Sequence, residues 1–191
     1  MEITVKAYPV KDLMVPLSEY ATVSETATLY EAVLALEEAQ EKFEDKHTRY
    51  RHRAVLILDK DGDVIGKLSQ LDALRALEPK YQKMVKGEGL RRYGFAKEFE
   101  ESILEKFGLF AGALEDICRK AGERNVKEFM YTPTEGEYVS EDATLELAIH
   151  QLIIGRHQSL LVTRNEKIVG ILRLTDVFAA VFHKMKECFN G

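Results

Sequence analysis

Cysteine is scarce in this chain and poorly placed: Cys118 and Cys188 are the only two, far apart, with no Cys-x-x-Cys pair and no companions at metal-ligand spacing. That leaves no basis for a disulfide framework or a zinc site, so reduced thiols in a cytoplasmic protein are expected. No apolar run approaches the length of a transmembrane helix, and Met1–Lys6 lacks the basic start and apolar stretch of a secretory signal. Positive charge is not in excess either. With 27 Lys and Arg against 32 Asp and Glu the formal charge is -5, which argues against nucleic acid, whose binding needs a basic surface to neutralise phosphates. Catalytic patterns are missing as well: the five histidines show no His-x-x-x-His or His-Glu-x-x-His spacing, and no serine sits in a Gly-x-Ser-x-Gly elbow. No acid, base, nucleophile or metal group is visibly assembled, and an enzyme is not expected.

What the chain has is a message stated twice. Val10-Lys11-Asp12-Leu13-Met14 returns as Val126-Lys127-Glu128-Phe129-Met130, and Val23-Ser24-Glu25-Thr26-Ala27-Thr28-Leu29 returns as Val139-Ser140-Glu141-Asp142-Ala143-Thr144-Leu145, both at an offset of 116 positions. A shared offset means two copies of one unit, too few for a solenoid. At 46% hydrophobic residues over 191 positions, there is enough apolar material to give both copies a core.

Within the first copy, Thr28-x-x-Glu31 has the form of a capping box and predicts a helix start. Leu29, Ala32, Val33, Leu36, Ala39 and Phe43 follow at helical spacing, and Leu145, Ala148, Ile149 and Leu152 repeat the first four. Val55–Leu58 and Val64–Leu68 read as two strands around the turn Asp59–Asp63, with counterparts Leu160–Val162 and Ile168–Leu172 around Asn165–Lys167. There the offset drops to 104, because the first copy carries 11 extra residues before its hairpin and one more in its turn. The turn does not read as a calcium loop, since its glycine is misplaced and Gln70 stands where the closing glutamate belongs. Each copy ends in a second helix, Leu71–Leu77 before Pro79, and Thr175 to about Met185.

Three segments result: a first repeat over 1–79, a connector over 80–125 and a second repeat over 126–191. The connector lacks proline, and Phe95, Phe99, Ile103, Phe107, Phe110, Leu114, Ile117 and Ala121 recur every three to four residues, which predicts an amphipathic helical segment. Gly108 and Gly112 are expected to weaken or divide it, and their spacing among charged residues suits close helix packing in water.

A unit that opens on Val-Lys-Asp/Glu-x-Met, passes through Val-Ser-Glu-x-Ala-Thr-Leu into a helix and ends in Gly66-Lys67-Leu68-Ser69-Gln70-Leu71-Asp72 resembles the cystathionine-beta-synthase (CBS) domain. Two in tandem resemble a Bateman module. The resemblance implies an α/β fold with two β-α-β-β-α units in pseudo-twofold tandem, their sheets packed together and two clefts between them. It also implies adenosine-containing ligands (AMP, ADP, ATP or S-adenosylmethionine) as regulators rather than cofactors, and a homodimer.

Gly66-x-x-Ser69-x-x-Asp72 lies across a strand-to-helix junction. A helix start suits a phosphate, Ser69 adds a hydroxyl donor, and the Asp72 carboxylate can accept from both hydroxyls of a ribose. Ser-x-x-Asp is equally the pattern of a capping box that needs no ligand. In the second copy Asp176 is kept but Arg173 replaces the serine. Either its planar fork reaches a phosphate, or it fills the cleft and pairs with Asp176. By the resemblance, the purine is held near Ala21, Thr22 and Val23 with Arg53, Ala54 and Val55, and near Glu137, Tyr138 and Val139 with Gln158, Ser159 and Leu160. The basic stretch His47–Arg53 is either a phosphate clamp or a solvated loop, and its Arg51-His52 corresponds to Arg156-His157. The expectation is a stand-alone cytoplasmic sensor of an adenosine ligand, or else a ligand-free structural or interaction module.

Overall fold

The computed structural model describes residues 8–44, 52–81 and 105–190. Phe95, Phe99 and Ile103 of the connector and residues 47–51 of the basic stretch lie outside these. The first repeat runs β2 (Thr22–Ser24), α1 (Leu29–Glu44), β3 (Ala54–Leu58), β4 (Val64–Ser69) and α2 (Gln70–Ala76), after a two-residue strand β1 (Val15–Pro16). Helix α3 (Leu114–Gly122) precedes the second repeat, which runs β5 (Tyr138–Ser140), α4 (Leu145–Gly155), β6 (Ser159–Arg164), β7 (Lys167–Arg173) and α5 (Leu174–Asn190). In both, a parallel first strand and an antiparallel hairpin make the sheet, in the orders β2-β3-β4 and β5-β6-β7. This is the expected β-α-β-β-α unit, twice.

Local chemistry accounts for the elements. The Thr28 amide donates to Glu31 Oε2 at 2.7 Å and the Glu31 amide to Thr28 Oγ1 at 3.2 Å, the reciprocal box expected at the start of α1. At α4 only half survives, since Thr144 Oγ1 accepts from the Leu147 amide at 3.4 Å and leucine has nothing to return. Asp59 Oδ1 accepts from the amides of Asp61 and Asp63, both at 2.9 Å, and so shapes the first hairpin turn. The second hairpin turns on Asn165 and Glu166, both at positive φ, the backbone twist favoured in two-residue loops. Positive φ at Gly108, Phe110 and Gly112 ends helical backbone before α3, so the connector is divided where glycine was expected to divide it. Helix α5 runs to Asn190, five residues past the expected end at Met185, because no proline or glycine interrupts it before Gly191. Val33, expected on the buried face of α1 with Leu29 and Ala32, is exposed.

The two repeats exchange their opening segments. Strand β1 of the first repeat adds to the sheet of the second, Val15 opposite Ile171, while Tyr131 bridges to Lys67 in the mirror position. Val10 is fully buried among Val139, Leu145, Ala148, Leu160 and Leu172 of the second repeat, and Val126 among Leu29, Ala32, Ile57 and Leu68 of the first. The amide of Val10 donates to Ala143 O and that of Val126 to Ala27 O, each at 2.9 Å, so the pseudo-twofold relation holds bond by bond. The repeated glycines belong to this crossing. A Cβ on Gly170 would lie 2.5 Å from Val15 O and 3.1 Å from Met14 Sδ, and one on Gly66 2.7 Å from Met130 Sδ and 3.2 Å from Tyr131 O. Between the sheets Val15, Tyr20, Leu56, Leu161 and Ile171 form a shared core.

Candidate ligand clefts

The crossing creates two related junctions, each with the last strand and second helix of one repeat beside the opening segment of the other. At the first, β4 ends on Ser69 and α2 begins. Ser69 Oγ donates to Asp72 Oδ2 at 2.5 Å, the Ser69 amide to the same oxygen at 3.0 Å, and the Asp72 amide returns a bond to Ser69 Oγ at 3.2 Å. The capping box is therefore real. Arg75 Nη1 sits 3.1 Å from the other carboxylate oxygen, but its side chain is 44% exposed, so the pair is weak and open to exchange.

At the second junction the opposite choice is made. Arg173 Nε donates to Asp176 Oδ2 at 2.7 Å and Nη2 to Oδ1 at 2.6 Å, a two-pronged pair in which the arginine side chain is only 9% exposed. Across the seam stand Tyr20 and His52 of the first repeat, rings edge to face at 4.4 Å and 79°. Both are buried. Burial, with Arg173 adding to it, lowers the His52 pKa to about 4, and burial, with Asp176 adding to it, raises that of the Tyr20 phenol, whose oxygen meets the Ala54 amide.

The relation that carries Asp176 to Asp72 carries Tyr20 to Gly136 and His52 to His157. Gly136 is exposed, and the His157 imidazole lies beside it, 3.8 Å from where its Cβ would be. The same imidazole covers Gly155, where a Cβ would fall 1.9 Å from Nε2. Next to Gly136, Glu137 is buried and takes Lys67 Nζ on Oε2 and the Tyr131 hydroxyl on Oε1, each at 2.5 Å, with the Thr134 amide at 3.2 Å. Burial pushes the Glu137 pKa up, but these donors outweigh it and hold the group below the usual carboxylate range. Lys67 and Glu137 thus join β4 of one repeat to the opening segment of the other.

The purine-side positions divide. Thr22 and Val23 pair with Leu56 and Ile57 in β2-β3, and Tyr138 and Val139 with Leu161 and Val162 in β5-β6. Ala54 lies opposite Ser69 and Ser159 opposite Arg173, so these backbones flank the two junctions. Ala21, Val55, Val139 and Leu160 bury their side chains in the cores, which leaves their backbone as the part a ligand could meet. Arg53 is exposed and its carbonyl accepts from the Gln70 amide at the start of α2, as Gln158 does from Leu174 at α5. Tyr20, Lys67 and Tyr131 were not singled out from sequence. A signal existed: at the repeat offsets Tyr20 faces Gly136 and Lys67 faces Ile171, mismatches of size and charge between otherwise matching copies.

On the helical face, a groove of about 680 Å³ between α1, α2 and α3 is lined by Tyr30, Leu36, Val55, Ala73 and Leu77 with Ser69 at its edge. Among the described residues no cluster of His, Cys, Asp or Glu is placed to hold a metal, and no helix is long and apolar enough to cross a membrane.

The family model for the CBS domain matches residues 10–79 and 126–183. No curated protein matches the chain. Among solved structures, the CBS-pair protein CBSX2 of Arabidopsis thaliana superposes with a TM-score of 0.59 at 19% identity, covering 95% of this chain and 99% of that one. A structure of CBSX2 in complex with AMP gives 0.56 at 18% identity, covering 93% and 98%. A CBS-domain containing protein of Agrobacterium tumefaciens gives 0.57 at 18%, covering 95% and 98%.

Proposed function

Because the chain belongs to the CBS-domain family, we propose that it is a regulatory module that binds an adenosine-containing ligand, one of AMP, ADP, ATP or S-adenosylmethionine, between its repeats and performs no chemistry of its own. The observation that carries this reading is the exchange of opening segments. Arg173 and Asp176 act on Tyr20 of the other repeat and Arg173 on its His52, and β4, which leads into Asp72, is tied to Glu137 of the other repeat through Lys67. A ligand held on both sides of either seam would have an affinity that depends on how the repeats sit, and would bias that arrangement in return. The AMP found in a structural neighbour supports the ligand class.

One observation favours a second reading, a ligand-free interaction or dimerisation module. Helices α4 and α5 leave Ile153, Ile154, Phe178 and Phe189 between 61% and 88% exposed, a surface suited to a second copy of the chain. A homodimer fits both readings; ligand binding separates them. Ligand at about 100 times its dissociation constant stabilises a fold by about 2.7 kcal/mol, roughly 5–10 °C in melting temperature for a chain of this size. Melting curves with each of the four compounds should show such a rise for at least one. Asp72→Ala should lose the ligand-induced rise, beyond the cost of about 1 kcal/mol for its lost cap. If none of the four moves the curve, the interaction module takes the place of the sensor.

A further inference from the structure

We infer that the two clefts are unequal by construction: the one at Asp176 is filled by the chain's own Arg173 and Tyr20, and the one at Asp72 is the single ligand site. The inference rests on the reading proposed above. It follows from what each side chain already does.

Arg173 lays two donors across both oxygens of Asp176, the arrangement a ribose diol would need, and does so from a buried position. Tyr20 adds a planar ring wedged against His52, and its phenol oxygen meets the backbone amide of Ala54, one of the groups a purine edge would read. An aromatic ring with a hydrogen-bonded edge and a two-donor group thus stand where a nucleoside would bring the same features. A ligand entering there would have to break a buried, two-pronged charge pair and displace a buried ring at once.

The other cleft has the complementary set. Its aspartate is capped by the small Ser69, its ion pair is to the exposed Arg75, and Gly136 brings no side chain where Tyr20 brings a ring. His157 lies beside Gly136, partly exposed, so the imidazole offers a face that His52 spends on Tyr20. Copying the open set into the closed cleft takes two substitutions, Tyr20→Gly and Arg173→Ser.

Titration calorimetry of the full chain with AMP, ADP, ATP and S-adenosylmethionine, each separately, tests this. The expected result is one ligand per wild-type chain, weakened at least tenfold by Asp72→Asn, and two per chain in the double variant Tyr20→Gly/Arg173→Ser. If the double variant does not fold, the wild-type stoichiometry of one and its loss of affinity in Asp72→Asn still decide the matter, since neither needs the double variant. Two ligands per wild-type chain, or one that Asp72→Asn leaves untouched, overturns the inference while leaving the sensor reading intact. A double variant that folds and still binds one ligand overturns it as well. Binding of none of the four compounds to any variant overturns the sensor reading itself, and the inference with it.

Discussion

Acidification should destabilise this protein through His52. The ring is fully buried against Tyr20, and its pKa falls from 6.5 to about 4, chiefly because burial disfavours the imidazolium and secondarily because Arg173 is near. The unfolded chain protonates this histidine near pH 6.5 while the folded chain resists until about pH 4. Between those values the unfolded state binds more protons, so stability is full above pH 6.5, falls as pH drops, and levels off in this respect below pH 4. At 1.36 kcal/mol per unit the whole depression is worth about 3 kcal/mol, of which about 2 kcal/mol is lost between pH 7 and pH 5. That interval sits above most carboxylate titrations, and subtraction of a His52→Gln variant removes the other histidines. Urea denaturation of both proteins at several pH values measures the difference. The wild type should lose about 2 kcal/mol more than the variant over this range, and Arg173→Gln should shrink the loss without abolishing it. Parallel pH dependence of wild type and His52→Gln would refute the buried, neutral imidazole.

Two further outcomes test the crossing and the caps. Gly170→Ala should cost more than Gly66→Ala by a kcal/mol or more in chemical denaturation, because the added methyl meets the Val15 carbonyl in one and the flexible end of Met130 in the other. Thr28→Ala should cost about 1–2 kcal/mol by removing a reciprocal box, and Thr144→Ala less, since Leu147 never completed the second one.

Much of the fold was legible because duplication writes the same local physics twice. The box at Thr28, the two hairpins and the dividing glycines of the connector each follow from interactions within a few residues. The exchange of opening segments was not legible, because pairing Val15 with Ile171 or Tyr131 with Lys67 depends on partners far along the chain that local periodicity does not choose between. Gly66 and Gly170 marked the place without showing the cause, which is the backbone that passes over them. At the clefts, Ser69 with Asp72 and Arg173 with Asp176 were visible as spacings. What decides between a cap, an internal pair and a ligand contact is burial, and burial of Arg173 is a tertiary fact. The full length of α5 is legible by contrast: helix stops are read from proline and glycine, and none lies between Met185 and Gly191, just before which the helix ends.

The buried positions of Val10 and Val126 in each other's repeats have a consequence for how such a chain is put together. Each half completes its partner's hydrophobic interior, so one chain has the architecture of a domain-swapped dimer. In such an arrangement the covalent join acts mainly by raising the effective concentration of one half at the other, while the exchanged valines set the register. Because each half has its own stretch of sequence, a residue such as Arg173 can stand on one side of the axis without standing on the other.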